Sequence, residues 1–334
     1  MEQNPKSESF GELGIIETET AIKFIKDSFQ TELAHALGLT RVSAPLFVFP
    51  ESGLNDNLSG VEMPVRFKVK SVGKDAEVVQ SLAKWKRLAL KRYGFGEGSG
   101  LYTDMNAIRP DEDLDDLHSI YVDQWDWEMV ITREQRNLGF LEDSVRKIYG
   151  ALRGTQQSLC GRFPGFQQWL PEEITFLSTQ ELEDRMPDLT PKEREDRISE
   201  QYGAVFLMQI GAPLKSGAPH DSRAPDYDDW SLNGDILIWY PVLGRAVELS
   251  SMGIRVDPQS LDAQLEVSGC EDRKTLPFHK ALLAGELPLT MGGGIGQSRI
   301  CMVLLGKRHI GEVQASVWSD EMLDFFFTEG ISIL

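Results

Sequence analysis

"TMGGGIGQSRI", residues 290–300, sets glycine at 292, 294 and 296 and an arginine at 299. Two familiar nucleotide loops do not fit it. The P-loop requires Lys-Ser or Lys-Thr after its last glycine, and none follows Gly296. The dinucleotide fingerprint G-x-G-x-x-G would need glycine at 297 or 299, where Gln297 and Arg299 stand. The remaining arrangement is a strand whose period-two glycines, Gly292, Gly294 and Gly296, clear one face so that a flat base can lie against backbone. Arg299 then falls in the first turn of a following helix, "SRICMVLLG".

Outward from this segment the chain reads as alternating strands and helices. Ile22, Ile25, Phe29, Leu33 and Leu37 recur at helical spacing from Thr18, with Gly38 as a C-terminal cap. "RVSAPLFVF" (41–49) is strand-like but holds Pro45, which implies an edge or a bulge. "MPVRFKVKS" (63–71) alternates as a strand, and 78–95 passes from a strand end into a helix. "GLYTDMNAIRP" (100–110) and "SIYVDQWDWEMVI" (119–131) read as two antiparallel strands joined by an acidic loop. Residues 134–208 look mainly helical, ending in the strand "AVFLMQI". Two strands, "LNGDILIWYPV" and "RAVELSSMGIRV", and two helices, "DPQSLDAQLEVSG" and "PFHKALLAG", precede the glycine segment. No repeat or linker is visible. The expectation is a loose tail over 1–17 and a single α+β domain over 18–334, built on an antiparallel sheet.

Composition narrows the function. The 334 residues are 41% hydrophobic, ample for one large core, and no apolar run approaches a membrane span. The formal charge of −18 argues against a nucleic-acid partner, which would be gripped by clustered Lys and Arg. Cys160, Cys270 and Cys301 lack metal spacing and read as reduced thiols of a cytoplasmic protein.

Candidate chemistry gathers at strand ends. Arg109 ends a strand, where it can grip phosphate, or pair with Asp111, Glu112 or Asp113. In "VDQWDWE", Asp123, Trp125 and Trp127 share one face, and Gln124, Asp126 and Glu128 share the other. Such a polar row is costly to bury without a ligand. In "VELSS", alternation puts Glu248 with Ser250 and Leu249 with Ser251. Asp235 and Glu248, on neighbouring strands, suit Mg²⁺ beside a substrate phosphate; pairing with Arg255 or Arg299 is the equal alternative. "APDYDDW" (224–230) packs Asp226, Asp228 and Asp229 among aromatics and fits a substrate amine or ammonia. Ser81, Lys84 and Lys86 lie near a helix start, where a lysine can bind a substrate carboxylate; an exposed face with snorkelling lysines is the stronger reading of the two lysines alone.

Together these segments resemble the three motifs of class II aminoacyl-tRNA synthetases. They are a helix followed by "GLTRVSAPLF" (38–47), the strand–loop–strand "IRPDEDLDDLHSIYVDQWDWE" (108–128), and "GGGIGQSR" (292–299). The match is closer, and nearly chain-long, to the ammonia-dependent asparagine synthetases, whose fold is similar to the aspartyl-tRNA synthetase core. It is carried also by "DNLSG" (56–60), "SLAKWKR" (81–87), "RAPDYDDW" (223–230), "LNGDIL" (232–237) and "ELSSMGIRV" (248–256). Bacterial members usually carry a longer insert between Trp230 and Leu232, where only Ser231 stands, so a local lid differs.

The resemblance implies a homodimer through the first motif, and asparagine made from L-aspartate, ATP and ammonia through β-aspartyl-AMP. It implies that Asp56, Ser81, Lys86, Gln124 and Asp126 hold aspartate. Arg109 and Arg299 would take the phosphates, with Gly292, Gly294, Gly296 and Ser251 on the nucleotide. Asp235 and Glu248 would hold Mg²⁺, and Asp229 would lie near the β-carboxylate to receive ammonium. Glutamine-dependent enzymes of the other type begin with a catalytic cysteine after methionine removal; here Glu2 follows Met1, so free ammonia is the expected donor. Two other readings are a ligase that passes activated aspartate to another acceptor, and an inactive paralogue serving as a binding module.

Overall fold

A computed structural model describes residues 10–56, 58 and 62–334. The first helix, α1, spans Ile15–Leu37, with Gly14 N–H donating to the Glu17 carboxylate at 3.0 Å. It therefore starts three residues before Thr18. The expected loose tail is also shorter than 1–17: Phe10 packs edge-on against Trp169, with ring centroids 5.8 Å apart. Residues 1–9 lie outside the described residues. At the far end Gly38 (φ 66°) turns the chain in the left-handed region that glycine adopts without strain.

Pro45 splits the 41–49 segment. Before it, β1 (Leu39–Arg41) joins the main sheet; after it, β2 (Phe47–Val48) joins β3 (Arg66–Val69) and β4 (Lys74–Val78) in a separate small sheet of order β2-β4-β3. Helix α2 (Ala83–Tyr93) leads to the long hairpin β5 (Gly100–Ile108) and β6 (Tyr121–Val130). The middle of the chain contains α3 (Leu138–Arg162), α4 (Thr179–Arg185) and α5 (Pro191–Tyr202). It also holds a strand not expected from the sequence, β7 (Thr175–Ser178), parallel to β8 (Ala204–Met208). Then follow β9 (Asp228–Tyr240), β10 (Arg245–Arg255), α6 (Pro258–Val267), α7 (Pro277–Leu283), β11 (Thr290–Gly296) and α8 (Gln297–Leu305). A last helix, α9 (Asp320–Glu329), lies in a stretch for which the sequence raised no expectation. Strand β9 runs unbroken through Ser231.

The main sheet has eight strands in the order β1-β5-β6-β11-β10-β9-β8-β7, antiparallel except at its two edges. Its two faces differ in chemistry. On β6, Trp125, Trp127 and Met129 point into the large core with α1, α3 and α8. Phe29 of α1 meets Trp125 at a ring separation of 4.7 Å. Gln124 and Asp126 open on the opposite face, flanked by α2, the small sheet and a separate apolar cluster under α6 and α7.

Phe29 is fully buried at this helix–sheet contact. Phe29→Ala is expected to lower the unfolding free energy by about 4 kcal/mol through lost burial and a residual cavity. The midpoint of a urea titration would show it.

Candidate active site

The polar face opens into a cavity of about 470 Å³. Its lining includes Asp56, Ser81, Lys86, Arg109, Gln124, Asp126, Glu248, Ser251, Gly294, Gly296 and Arg299. Eleven of the expected positions therefore face one space, although they are drawn from widely separated parts of the chain.

The floor is β11 between β6 and β10. A Cβ at Gly292 would collide with the Glu128 carboxylate and Arg255, and one at Gly294 with the Gln124 amide. The period-two glycines thus clear room first for polar side chains of neighbouring strands, not for a bare shelf. Gly292 is filled by the Glu128–Arg255 pair and does not line the cavity, whereas Gly294 and Gly296 do. Arg255 donates to Glu128 from Nε and Nη2 (3.0 and 2.8 Å) and to Asp228 from Nη1 (2.6 Å). Those two acids hold the guanidinium charge against the cost of burial.

Lys84 and Lys86 are both buried, which corrects the snorkelling reading. α2 turns them inward, Lys86 toward β6 and β11 and Lys84 toward Asp226. The Lys86 ammonium pairs with Asp126 and donates to the carbonyls of Trp127 (2.9 Å) and Gly293 (3.2 Å). Burial pushes its pKa down, against the pull of Asp126. Ser81 Oγ accepts from Ala83 N–H (3.2 Å) at the start of α2. Asp56 stands apart. It is buried, lines the cavity, and neither carboxylate oxygen has a hydrogen-bond partner among the described residues. Burial raises its pKa, partly offset by Lys84.

Arg109 reaches Glu112 only at 3.9 Å, and its Nε is buried without a partner among the described residues. Arg299 Nη1 donates to the Glu248 carbonyl (3.0 Å) and approaches that residue's carboxylate at 3.9 Å. Both guanidiniums keep capacity for an anion.

A bulge in β10 between Glu248 and Ser250 corrects the expected alternation. Glu248 and Ser251 both line the cavity, and Ser250 turns toward the core with Phe29 and Ile300. Asp235, opposite Ser251, lies behind the cavity wall and pairs with Arg223, a lining residue not singled out from sequence. Burial, with Glu248 nearby and despite Arg223, pushes Asp235 up to about 7. Its Oδ1 is buried without a partner among the described residues, an acceptor suited to a hard cation shared with Glu248.

Asp229 does not reach the cavity. Its carboxylate pairs with Arg136 and accepts from Ser231 N–H (2.9 Å) and hydroxyl (2.6 Å). The cavity is lined instead by Asp228, at the start of β9, and by Tyr227 just before it. "APDYDDW" alone offered no way to choose between adjacent aspartates; the pairing of Arg255 with Asp228 on β9 decides it.

Asp229→Asn is expected to cost about 3 kcal/mol of stability by leaving the mostly buried Arg136 with Asp257 as its remaining carboxylate. ATP affinity, followed by calorimetry, is expected to stay within about twofold, a difference of under about 0.5 kcal/mol.

A family model described as aspartate-ammonia ligase matches residues 16–329. The aspartate–ammonia ligase of Ruminiclostridium cellulolyticum is 62% identical, with 96% of each chain covered, and that of Lactobacillus johnsonii is 60% identical with the same coverage. Among solved structures, an asparaginyl-tRNA synthetase from Pyrococcus horikoshii complexed with asparaginyl-adenylate superposes with a TM-score of 0.66 at 15% identity. The match covers 90% of this chain and 70% of that one, and the shared feature is the class II synthetase fold. With this fold, this cavity and these relatives, the chain belongs to the aspartate–ammonia ligase family and is a ligase that joins aspartate to ammonia.

Proposed function

We propose that the cavity performs the ligation in two steps. A β-carboxylate oxygen of L-aspartate attacks the α-phosphorus of ATP, giving β-aspartyl-AMP and pyrophosphate. Ammonia then attacks the acyl carbon, the C–O bond to AMP breaks, and asparagine leaves with AMP. Asp56 carries the reading. A buried carboxylate with no protein partner among the described residues, open to a cavity beside two under-used arginines, is an acceptor awaiting an ammonium.

In this scheme Asp56 and Asp126 receive the aspartate ammonium, and Lys86 takes a carboxylate. Gln124 and Ser81 fix orientation. Arg109 and Arg299 neutralise the charge that grows on the phosphates, the largest contribution expected of such a site. Gly294, Gly296 and Ser251 approach the nucleotide, and Gly292 supports it indirectly through Arg255. Asp235 and Glu248 would hold Mg²⁺, which when bound supplies charge neutralisation on the ATP phosphates. The ammonium role passes from Asp229 to Asp228, which faces the cavity and whose pKa burial raises, favouring uptake of a proton.

Exposed Leu46 and Phe47, in the segment resembling the first synthetase motif, support a homodimer. No described helix is long and apolar enough to cross a membrane. The three free cysteines support a reducing, cytoplasmic setting.

The central test is formation of asparagine and AMP from L-aspartate, ATP and Mg²⁺ with ammonium, with glutamine, or with neither. Ammonium is expected to give one AMP per asparagine. Pyrophosphate exchange without asparagine would instead identify another acceptor. Arg109→Ala is expected to lower kcat by about 100-fold or more. Because Asp56 must be ionised to hold an ammonium and its pKa is raised, KM for aspartate should climb as pH falls, beginning above the range of an ordinary carboxylate. A KM that stays flat down to about pH 5 would remove Asp56 from this role.

A further inference from the structure

Behind the cavity wall lies a cluster of charges that the proposed steps do not use. Asp226 is fully buried. Its Oδ2 forms an ion pair with Lys84 Nζ at 3.0 Å and accepts from Arg273 Nη1 at 3.1 Å, and the His279 ring nitrogen Nε2 lies at 2.9 Å. None of these four residues lines the cavity. Burial pushes Asp226 up, but Lys84, the His279 hydrogen bond and Arg273 outweigh it and hold the acid ionised.

The same lysine reaches toward Asp56. Lys84 Nζ also donates to the carbonyl of Asn55, the preceding residue, at 3.2 Å. Asn55 fixes the local backbone: its Oδ1 accepts from the N–H groups of Asp56 (3.0 Å) and Gln80 (2.8 Å), and its Nδ2 donates to the Val78 carbonyl at 3.0 Å. The charges of Lys84 and Arg273 are felt at Asp56. Yet both cations are directed to Asp226, and the Asp56 oxygens remain without partners among the described residues.

We propose that Asp226 is a positioning residue for aspartate recognition: it sequesters Lys84 and Arg273 so that neither neutralises Asp56, which stays available to the substrate ammonium. The inference rests on the reading of Asp56 as the ammonium acceptor. The physical basis is competition between two buried carboxylates for the same cations. An ammonium in low dielectric takes the nearest free carboxylate, and a carboxylate so taken no longer offers a full charge to a ligand. His279, on α7, is the third group on the same Asp226 oxygen and anchors the acid to the apolar cluster under α6 and α7.

The test is steady-state kinetics of the full-length enzyme with ATP, Mg²⁺ and ammonium at varied L-aspartate. Asp226→Asn is expected to raise KM for aspartate about tenfold with kcat changed less than about threefold, the pattern of lost substrate binding. The double variant Asp226→Asn/Lys84→Met, which removes the released ammonium, is expected to bring KM back to within about threefold of the parent. A merely structural role for Asp226 predicts the opposite, a double variant no better than the single, and that result overturns the proposal. So does an unchanged KM in Asp226→Asn. If Asp226→Asn fails to fold, Lys84→Met alone decides: KM for aspartate should stay level or fall, and a rise beyond about threefold sinks the idea. Asp56→Asn separates the two layers. If it leaves KM unchanged, the reading of Asp56 itself fails. If it raises KM while Asp226→Asn does not, only the sequestering role is lost.

Discussion

The buried guanidinium of Arg255 holds the site together. It bonds to Glu128 on β6 and Asp228 on β9, and it occupies the space that glycine leaves at position 292 on β11. Four strands of the sheet are thereby locked by one side chain. A buried charge is tolerated only with its partners in place, so the strands, the glycine and the two acids are required together. The cavity floor is rigid for the same reason. Gln124 finds its position because Gly294 has no side chain, and Lys86 is held by the Gly293 carbonyl.

Two kinds of buried acid result. Glu128 and Asp226 are paired with protein cations and serve as framework, while Asp228 is paired with Arg255 and still faces the cavity. Among the described residues Asp56 has no such pairing, and Arg109 approaches Glu112 at 3.9 Å. Incomplete pairing in a folded protein carries an energetic cost, and the cavity concentrates it where aspartate and ATP must be gripped. The apolar core under α1 and α3 supplies the stability that makes such a cost bearable.

Much of this was legible in the sequence because strand alternation is a strict rule. The polar row Gln124, Asp126 and Glu128 and the tryptophans opposite could be assigned to faces without coordinates. The helix from Thr18, the hairpin and the glycine strand followed from equally local signals. What escaped depends on non-local pairing. The bulge that exchanges Ser250 for Ser251 is invisible until β9 fixes the register. Which aspartate of 228 and 229 faces the cavity depends on Arg255 and Arg136, far along the chain in both directions. Lys84 and Lys86 look like ordinary surface lysines until Asp126 of β6, the Gly293 carbonyl of β11 and Asp226 are seen to receive them. β7 is short and gains its place only as an edge partner of β8.

The position of β11 bears on how the enzyme is made. It is the last strand of the main sheet in the chain, yet it lies at the middle, between β6 and β10. On a ribosome, the two halves of the sheet can form first but cannot be joined until this segment emerges. Until then β6 and β10 each present an unpaired edge, and Glu128 and Arg255 face each other across a gap without a floor. Open edges of this kind invite pairing with other chains. Newly synthesised molecules are therefore most exposed to aggregation until β11 has emerged, and closure of the sheet and creation of the catalytic pocket are one event.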